Sequence, residues 1–200
     1  MTTALLILLG YILGSIPSGY WMVRLFRHED IRKIGSGNIG ATNVWRLYGR
    51  RLGIPVILLD VAKGFVPAFL GVILVSDLVG ILAGAAAMFG HTRPIFLRFA
   101  RGGKMVATTG GAFFGVAPLV GLSCLAVWVV VFLVTRYSSV ASLAAATMMV
   151  VLSVAFGEPW PVIAFSGIAA ATVFVLHREN LRRLRAGTES RFHFRRAARA

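Results

Sequence analysis

No Asp, Glu, Lys or Arg interrupts residues 2–23, 105–135 or 137–157. A helix needs roughly 20 such residues to cross the hydrocarbon core of a bilayer. A water-soluble domain has no use for so much unbroken apolar chain, and 58% of the 200 residues are hydrophobic. The expectation is an all-α polytopic integral membrane protein, one membrane-embedded domain over residues 1–200 with a basic tail from about 178 to 200. The first run has no basic segment before it and no A-x-A cleavage site after it, so it reads as a retained span. The single cysteine, Cys124, lies inside an apolar run, which excludes an intrachain disulfide and favours a buried structural thiol.

The charges are confined. Arg24–Arg51 holds seven basic residues, Arg93–Lys104 four and Arg178–Arg199 eight, whereas the breaks at Asp77 and Glu158 are acidic. By the positive-inside rule the three basic segments are cytoplasmic and the acidic breaks external. Spans are expected at about 4–25, 53–75 and 78–92, then two short helices bent near Pro118 within the 31-residue run 105–135, then about 138–156 and 160–176. That makes seven transmembrane helices, with the N-terminus outside and the C-terminus cytoplasmic. Asp60 and Lys63 lie inside the second span on one helix face, as a structural ion pair or as a brace for the loop before them. Small residues at Gly80, Gly84–Ala87, Ala141 and Ala144–Ala146 suggest close helix packing.

This topology brings three polar segments to one membrane face. In "GSGNIGATNVWR" the glycines match GxGxxG, but transmembrane runs flank them where a dinucleotide fold needs strands, so that reading fails. The glycines still allow successive N–H groups to form an anion-binding nest. Ser36, Asn38, Thr42 and Asn43 add side-chain donors, and Arg46 adds a planar fork suited to phosphate. The alternative is a glycine-rich interfacial turn with solvated arginines. In "GHTRPIFLRFARGGKMVAT", Gly102, Gly103 and Lys104 set a flexible turn and an ammonium at the start of a helix, while His91 reads as a capped helix end. In "HRENLRRLRAGTE", His177 and Asn180 share a face, and most of the tail arginines suit anionic headgroups. Together the segments imply phosphorylated ligands held at headgroup depth.

"SGNIGATNVWR", "GH..P.F..F..GGK..VAT" and "HREN..RL..GTE", in that order, resemble the three motifs of the bacterial acyl-phosphate:glycerol-3-phosphate acyltransferases, the PlsY family. The likeness covers the whole chain, including "LDVAKGFVPA" and "RYSSVAS". It implies a multi-pass enzyme of the bacterial cytoplasmic (inner) membrane, with its active site on the cytoplasmic face. That enzyme would move an acyl group from acyl phosphate to the 1-hydroxyl of glycerol 3-phosphate, the first acylation of phospholipid synthesis. It further implies membrane lipids as surroundings, no nucleic acid, no metal or cofactor, and no acyl-CoA or acyl-carrier protein as direct donor. Carried onto this chain, the catalytic residues are His177, Lys104 and Arg46, and the substrate-binding residues are Ser36, Gly37, Asn38, Gly40, Thr42, Arg46, Gly102, Gly103, Lys104, Ser142, His177 and Asn180. In the mechanism implied, the phosphate of glycerol 3-phosphate takes the hydroxyl proton itself. The H-x4-D motif of soluble-type acyltransferases is absent after every histidine.

Two positions depart from the family pattern. Met105 stands where GGKGVAT has glycine, and "FARGGK" carries one extra residue. Met105 is therefore expected at ordinary helical or extended angles, as the first residue of span four, with its side chain toward lipid or the acyl channel. A transporter or binding protein for a phosphorylated metabolite is the alternative from another class. It would call for inverted repeats, and no internal repeat is evident.

Overall fold

The computed structural model describes residues 1–192. Arg195, Arg196 and Arg199 of the expected basic tail lie outside the described residues. Among the described residues there are ten α-helices and no strand. They are α1 (Thr2–Gly14), α2 (Ser18–Arg27), α3 (Ala41–Tyr48), α4 (Arg50–Leu74), α5 (Asp77–Thr92), α6 (Val106–Val116), α7 (Pro118–Thr135), α8 (Ser138–Ala155), α9 (Trp160–Leu176) and α10 (Arg178–Arg185).

Among the described residues, four stretches are long and apolar enough to cross a membrane: Thr2–Arg27, α4, α7 and α8. A fifth joins α9 to α10 through a 55° bend. α5, with 16 residues, and α6, with 11, are shorter than these stretches. The long run 105–135 does break at Ala117–Pro118, but unequally. Proline removes a backbone donor and suits the first turn of a new helix, and α7, at 18 residues, is span-length on its own. The first span is also broken, at Ser15–Pro17, and α2 leaves it as an amphipathic helix with Gly19 and Val23 buried and Trp21, Leu25 and Phe26 exposed.

Small residues let the helices approach closely, as is usual where lipid offers no hydrophobic driving force for association. A methyl group on Gly10 or Gly14 would land on the carbonyls of Ala83 and Ala87, so α1 lies directly against α5. Gly64 meets the Thr108 carbonyl and Gly111 the Val61 carbonyl, which locks α4 to α6. Gly80 packs against Gly71 and Ala68, and Gly84 against Ala112 and Ala68. The largest core cluster runs from Ala68 through Ile81, Phe113 and Leu143 to Phe165 and Val173, joining α4, α5, α6, α8 and α9. Phe113 and Phe165 stack at its centre, with ring centroids 5.1 Å apart. Outward faces are apolar as well (Leu122, Val130 and Val134 on α7), as contact with lipid requires.

Candidate functional site

The first polar segment folds around a side chain that its glycines do not announce. Asn43, buried at the start of α3, accepts from the Ser36 amide at 3.1 Å and donates to the carbonyls of Ile34 (3.2 Å) and Asn38 (2.9 Å). Asn38 in turn accepts from the Gly40 amide at 2.7 Å. Gly35 and Gly37 have φ of 61° and 68°, the left-handed region that an L side chain resists. These bonds fix the loop and project α3, so that Arg46 points back across the protein. Its Nη2 donates to the Ser190 carbonyl at 3.4 Å, and its buried Nε has no hydrogen-bond partner among the described residues. Burial lowers the guanidinium pKa, and Glu189 opposes that shift.

In the second segment the glycines form a backbone clasp. Gly102 N–H donates to the Thr92 carbonyl and Gly103 N–H to the His91 carbonyl, each at 3.0 Å. A methyl group on Gly102 would meet the His91 carbonyl, and one on Gly103 would enter the His91 ring. Glycine is therefore required here for space. The clasp delivers Lys104 to Asn180 on α10, where its Nζ donates to Oδ1. Burial, with Arg183 next, pulls the Lys104 ammonium down to about 8.

The third segment closes the site. His177 is buried at the α9–α10 bend, with Nδ1 2.8 Å from the Val173 carbonyl. A carbonyl only accepts, so Nδ1 carries the proton and a neutral ring presents Nε2 as an acceptor. Asn180 Nδ2 donates to Glu189 Oε1 at 2.6 Å, Ser139 Oγ donates to the same oxygen at 2.8 Å, and Arg183 Nε donates to Oε2 at 2.7 Å. Desolvation pushes the Glu189 carboxyl up, but bonds from Asn180, Arg183 and Ser139 outweigh it and hold the group below the usual glutamate range. Beyond Glu189 the chain crosses the same face. Phe192 N–H donates to the Arg136 carbonyl at 2.8 Å, and its ring lies against Trp45 and Phe132.

The structure thus brings Arg46, Lys104, His177 and Asn180 from three distant segments to one cluster of donors and cations. Ser36, Gly37, Asn38, Gly40 and Thr42 lie in the α2–α3 loop and the first turn of α3, joined to the cluster through α3 and Arg46. Ser142 lies one turn along α8 from Ser139. Its hydroxyl donates to the Ser138 carbonyl at 2.7 Å and accepts from Trp128 Nε1 at 3.2 Å, inside the α7–α8 contact. Ser139 of "RYSSVAS" reaches the cluster through its bond to Glu189. Glu189 and Ser139 carry the hydrogen-bond network yet were not among the candidates, although "GTE" and "SSV" marked both. Glu179 pairs with exposed Arg101 at 3.1 Å.

Met105 corrects the sequence expectation. It adopts φ 55° and ψ 5°, the left-handed region, as the cap before α6. Its side chain is 2% exposed and belongs to the main core cluster, facing neither lipid nor a channel. Burial of the thioether chain in the core holds the methionine in that backbone.

The glycerol-3-phosphate acyltransferase family model matches residues 4–187. A glycerol-3-phosphate acyltransferase of Thermoanaerobacter sp. (strain X514) is 40% identical over 191 residues, 96% of each chain. Another, from Roseiflexus sp. (strain RS-1), is 47% identical over 193 residues, 94% of each chain. Among solved structures, the glycerol 3-phosphate form of PlsY, an integral membrane glycerol 3-phosphate acyltransferase, superposes with TM-score 0.92 at 38% identity, covering 96% of both chains. Its lysophosphatidic acid form gives TM-score 0.89 at 37% identity over 97% of both.

Proposed function

The chain belongs to the glycerol-3-phosphate acyltransferase family of multi-pass membrane proteins, and from that premise we propose that it acylates the 1-hydroxyl of glycerol 3-phosphate with an acyl phosphate as donor, giving lysophosphatidic acid and inorganic phosphate. The observation that carries this reading is the convergence of Arg46, Lys104, His177 and Asn180, with the buried Arg46 Nε lacking a partner among the described residues. Such a cluster suits two phosphates, whose mutual repulsion must be offset before they can approach.

Acyl phosphate is already activated. The glycerol hydroxyl oxygen attacks the acyl carbon, the carbon–oxygen bond to phosphate breaks, and its electron pair leaves with the phosphate. Lys104 holds the phosphate of glycerol 3-phosphate, and Arg46 stabilises the charge that develops on the leaving phosphate and the carbonyl oxygen, where a preorganised cation contributes most. Nε2 of His177 accepts a hydrogen bond from the attacking hydroxyl and orients it, and the proton passes to a phosphate oxygen of the substrate. The Gly102–Gly103 clasp and the Asn43-centred loop hold the surrounding backbone. Seven crossings with the N-terminus outside set this cluster at the cytoplasmic face of the bacterial inner membrane. The meeting of the described parts of the three basic segments, Arg46 with Ser190 and Lys104 with Asn180, supports that orientation.

The test is phosphate release by the purified protein given palmitoyl phosphate and glycerol 3-phosphate, with palmitoyl-CoA as control donor. Release requiring both substrates, with CoA ester inert, is expected. No release from the acyl phosphate, or equal turnover with the CoA ester, would overturn the donor assignment.

A further inference from the structure

Asp60 and Lys63 sit in the interior of α4, 3% and 5% exposed. Lys63 Nζ lies 2.7 Å from Asp60 Oδ1. Burying such a pair is expensive, and a hydrophobic helix needs none, so what the pair touches is informative. Lys63 Nζ also donates to the Ile16 carbonyl at 3.1 Å, at the break between α1 and α2. Asp60 Oδ1 lies 3.8 Å from His91 Nδ1, at the end of α5.

Each of these neighbours leads to one of the two glycine-bearing loops. From the break, α2 runs on to Gly19, where a methyl group would fall on the Ile39 carbonyl, inside the Asn38–Gly40 turn. From His91, the carbonyl takes the Gly103 amide and the ring fills the space beside Gly103. The break itself packs on the same corner, because a methyl group on Gly90 would approach the Ser15 amide. One ion pair therefore lies at the junction from which both loops are held, without itself belonging to the cationic cluster.

We propose that the Asp60–Lys63 pair is a positioning element for the substrate phosphate: it sets the separation between the Asn38–Gly40 turn and the Gly102–Lys104 turn, and through it the affinity for glycerol 3-phosphate. This rests on the site assigned above. Lys63 draws in the broken first span and Asp60 faces the His91 ring, so both loops are referenced to one rigid helix. Intramembrane charges that pair and face the bundle interior are retained where they have such work to do.

The experiment compares wild type with the neutralised double variant Asp60→Asn/Lys63→Met, with Lys63→Arg as the charge-preserving control. Three measurements are made: hydrogen exchange at the Gly102 and Gly103 amides, glycerol 3-phosphate binding by calorimetry, and KM for each substrate. In protein of unchanged size-exclusion profile, the double variant should exchange both amides at least tenfold faster. It should bind glycerol 3-phosphate at least tenfold more weakly, with KM for acyl phosphate within twofold, and Lys63→Arg should recover most of the affinity. A folded double variant with unchanged exchange and affinity would overturn the proposal, as would an equal loss for both substrates. If the double variant does not fold, Asp60→Glu, which keeps both charges but lengthens one arm, should still weaken glycerol 3-phosphate binding, and unchanged binding there would be equally decisive. The exchange and calorimetric readouts need no donor. Wild type that binds glycerol 3-phosphate without turning over acyl phosphate would therefore refute the donor assignment and leave this test intact.

Discussion

Met105 offers a substitution pair whose order reverses the usual one. At φ 55° and ψ 5° an L residue carries a penalty of about 1–2 kcal/mol relative to right-handed backbone. Its side chain is 2% exposed among Met88, Phe113 and Val173. Truncating a buried methionine to alanine costs roughly 2–5 kcal/mol, and alanine keeps the backbone strain. Glycine gives up the β-carbon as well and has the freer unfolded chain, together about 1 kcal/mol against alanine on right-handed backbone, but it releases the strain. Met105→Gly should therefore be more stable than Met105→Ala by up to about 1 kcal/mol, with both below wild type. In a helix interior the order is opposite, glycine lying about 1 kcal/mol below alanine. For a chain of this size a difference of about 1 kcal/mol moves Tm by roughly 2–4 °C. Thermal unfolding in one detergent, followed by tryptophan fluorescence, can read that difference. Met105→Ala melting above Met105→Gly would show that the left-handed cap is wrong and that residue 105 is simply the first turn of α6.

Arg46→Ala and Lys104→Ala should each lower kcat/KM by about ten- to a hundredfold, since a charge-assisted bond contributes about 1.5–3 kcal/mol; Arg46→Lys should rescue poorly because the fork is lost, and near-normal kinetics in either alanine variant would remove that residue from the site. With the Lys104 ammonium at about 8, the free protein loses a cation as pH rises through that value, so glycerol 3-phosphate affinity measured by calorimetry should fall between pH 7 and 9; a flat profile would mean that the ammonium does not meet the phosphate. For topology, cysteines at Arg50, Ala100 and Ser190, all on the basic segments and placed in a Cys124→Ser background, should resist an impermeant maleimide in intact cells and react after lysis; external labelling at Ser190 would defeat the odd number of crossings.

Much of the architecture was legible because a bilayer constrains sequence so strongly. Uncharged runs of span length marked α7, α8 and the first span, and the expected helices at 138–156 and 160–176 agree with α8 and α9 to within a residue. Pro118 marked its break because proline acts locally, on its own φ and on the residue before it. The break at Ser15–Pro17 was less legible, since what stabilises it is Lys63, far along the chain.

The site divides the same way. Arg46, Lys104, His177 and Asn180 could be chosen from residue type and motif, because phosphate recognition calls for forks, ammoniums and amides. Their meeting depends on contacts between segments more than 70 residues apart, such as Lys104 with Asn180. Ser139 and Ser142 were indistinguishable as letters, and a rotation along α8 decides that Ser139 reaches Glu189 while Ser142 turns into the contact with Trp128. Met105 shows the limit most clearly. Its preference for negative φ is a local property, worth about 1–2 kcal/mol, and the closed turn between the His91 clasp and α6, with a buried place for the side chain, overrides it. The sequence by itself determined a membrane-embedded helical protein with three phosphate-suited segments. Only the tertiary structure decided which side chains of those segments meet, because that depends on helix rotation and close approach, to which local composition is blind.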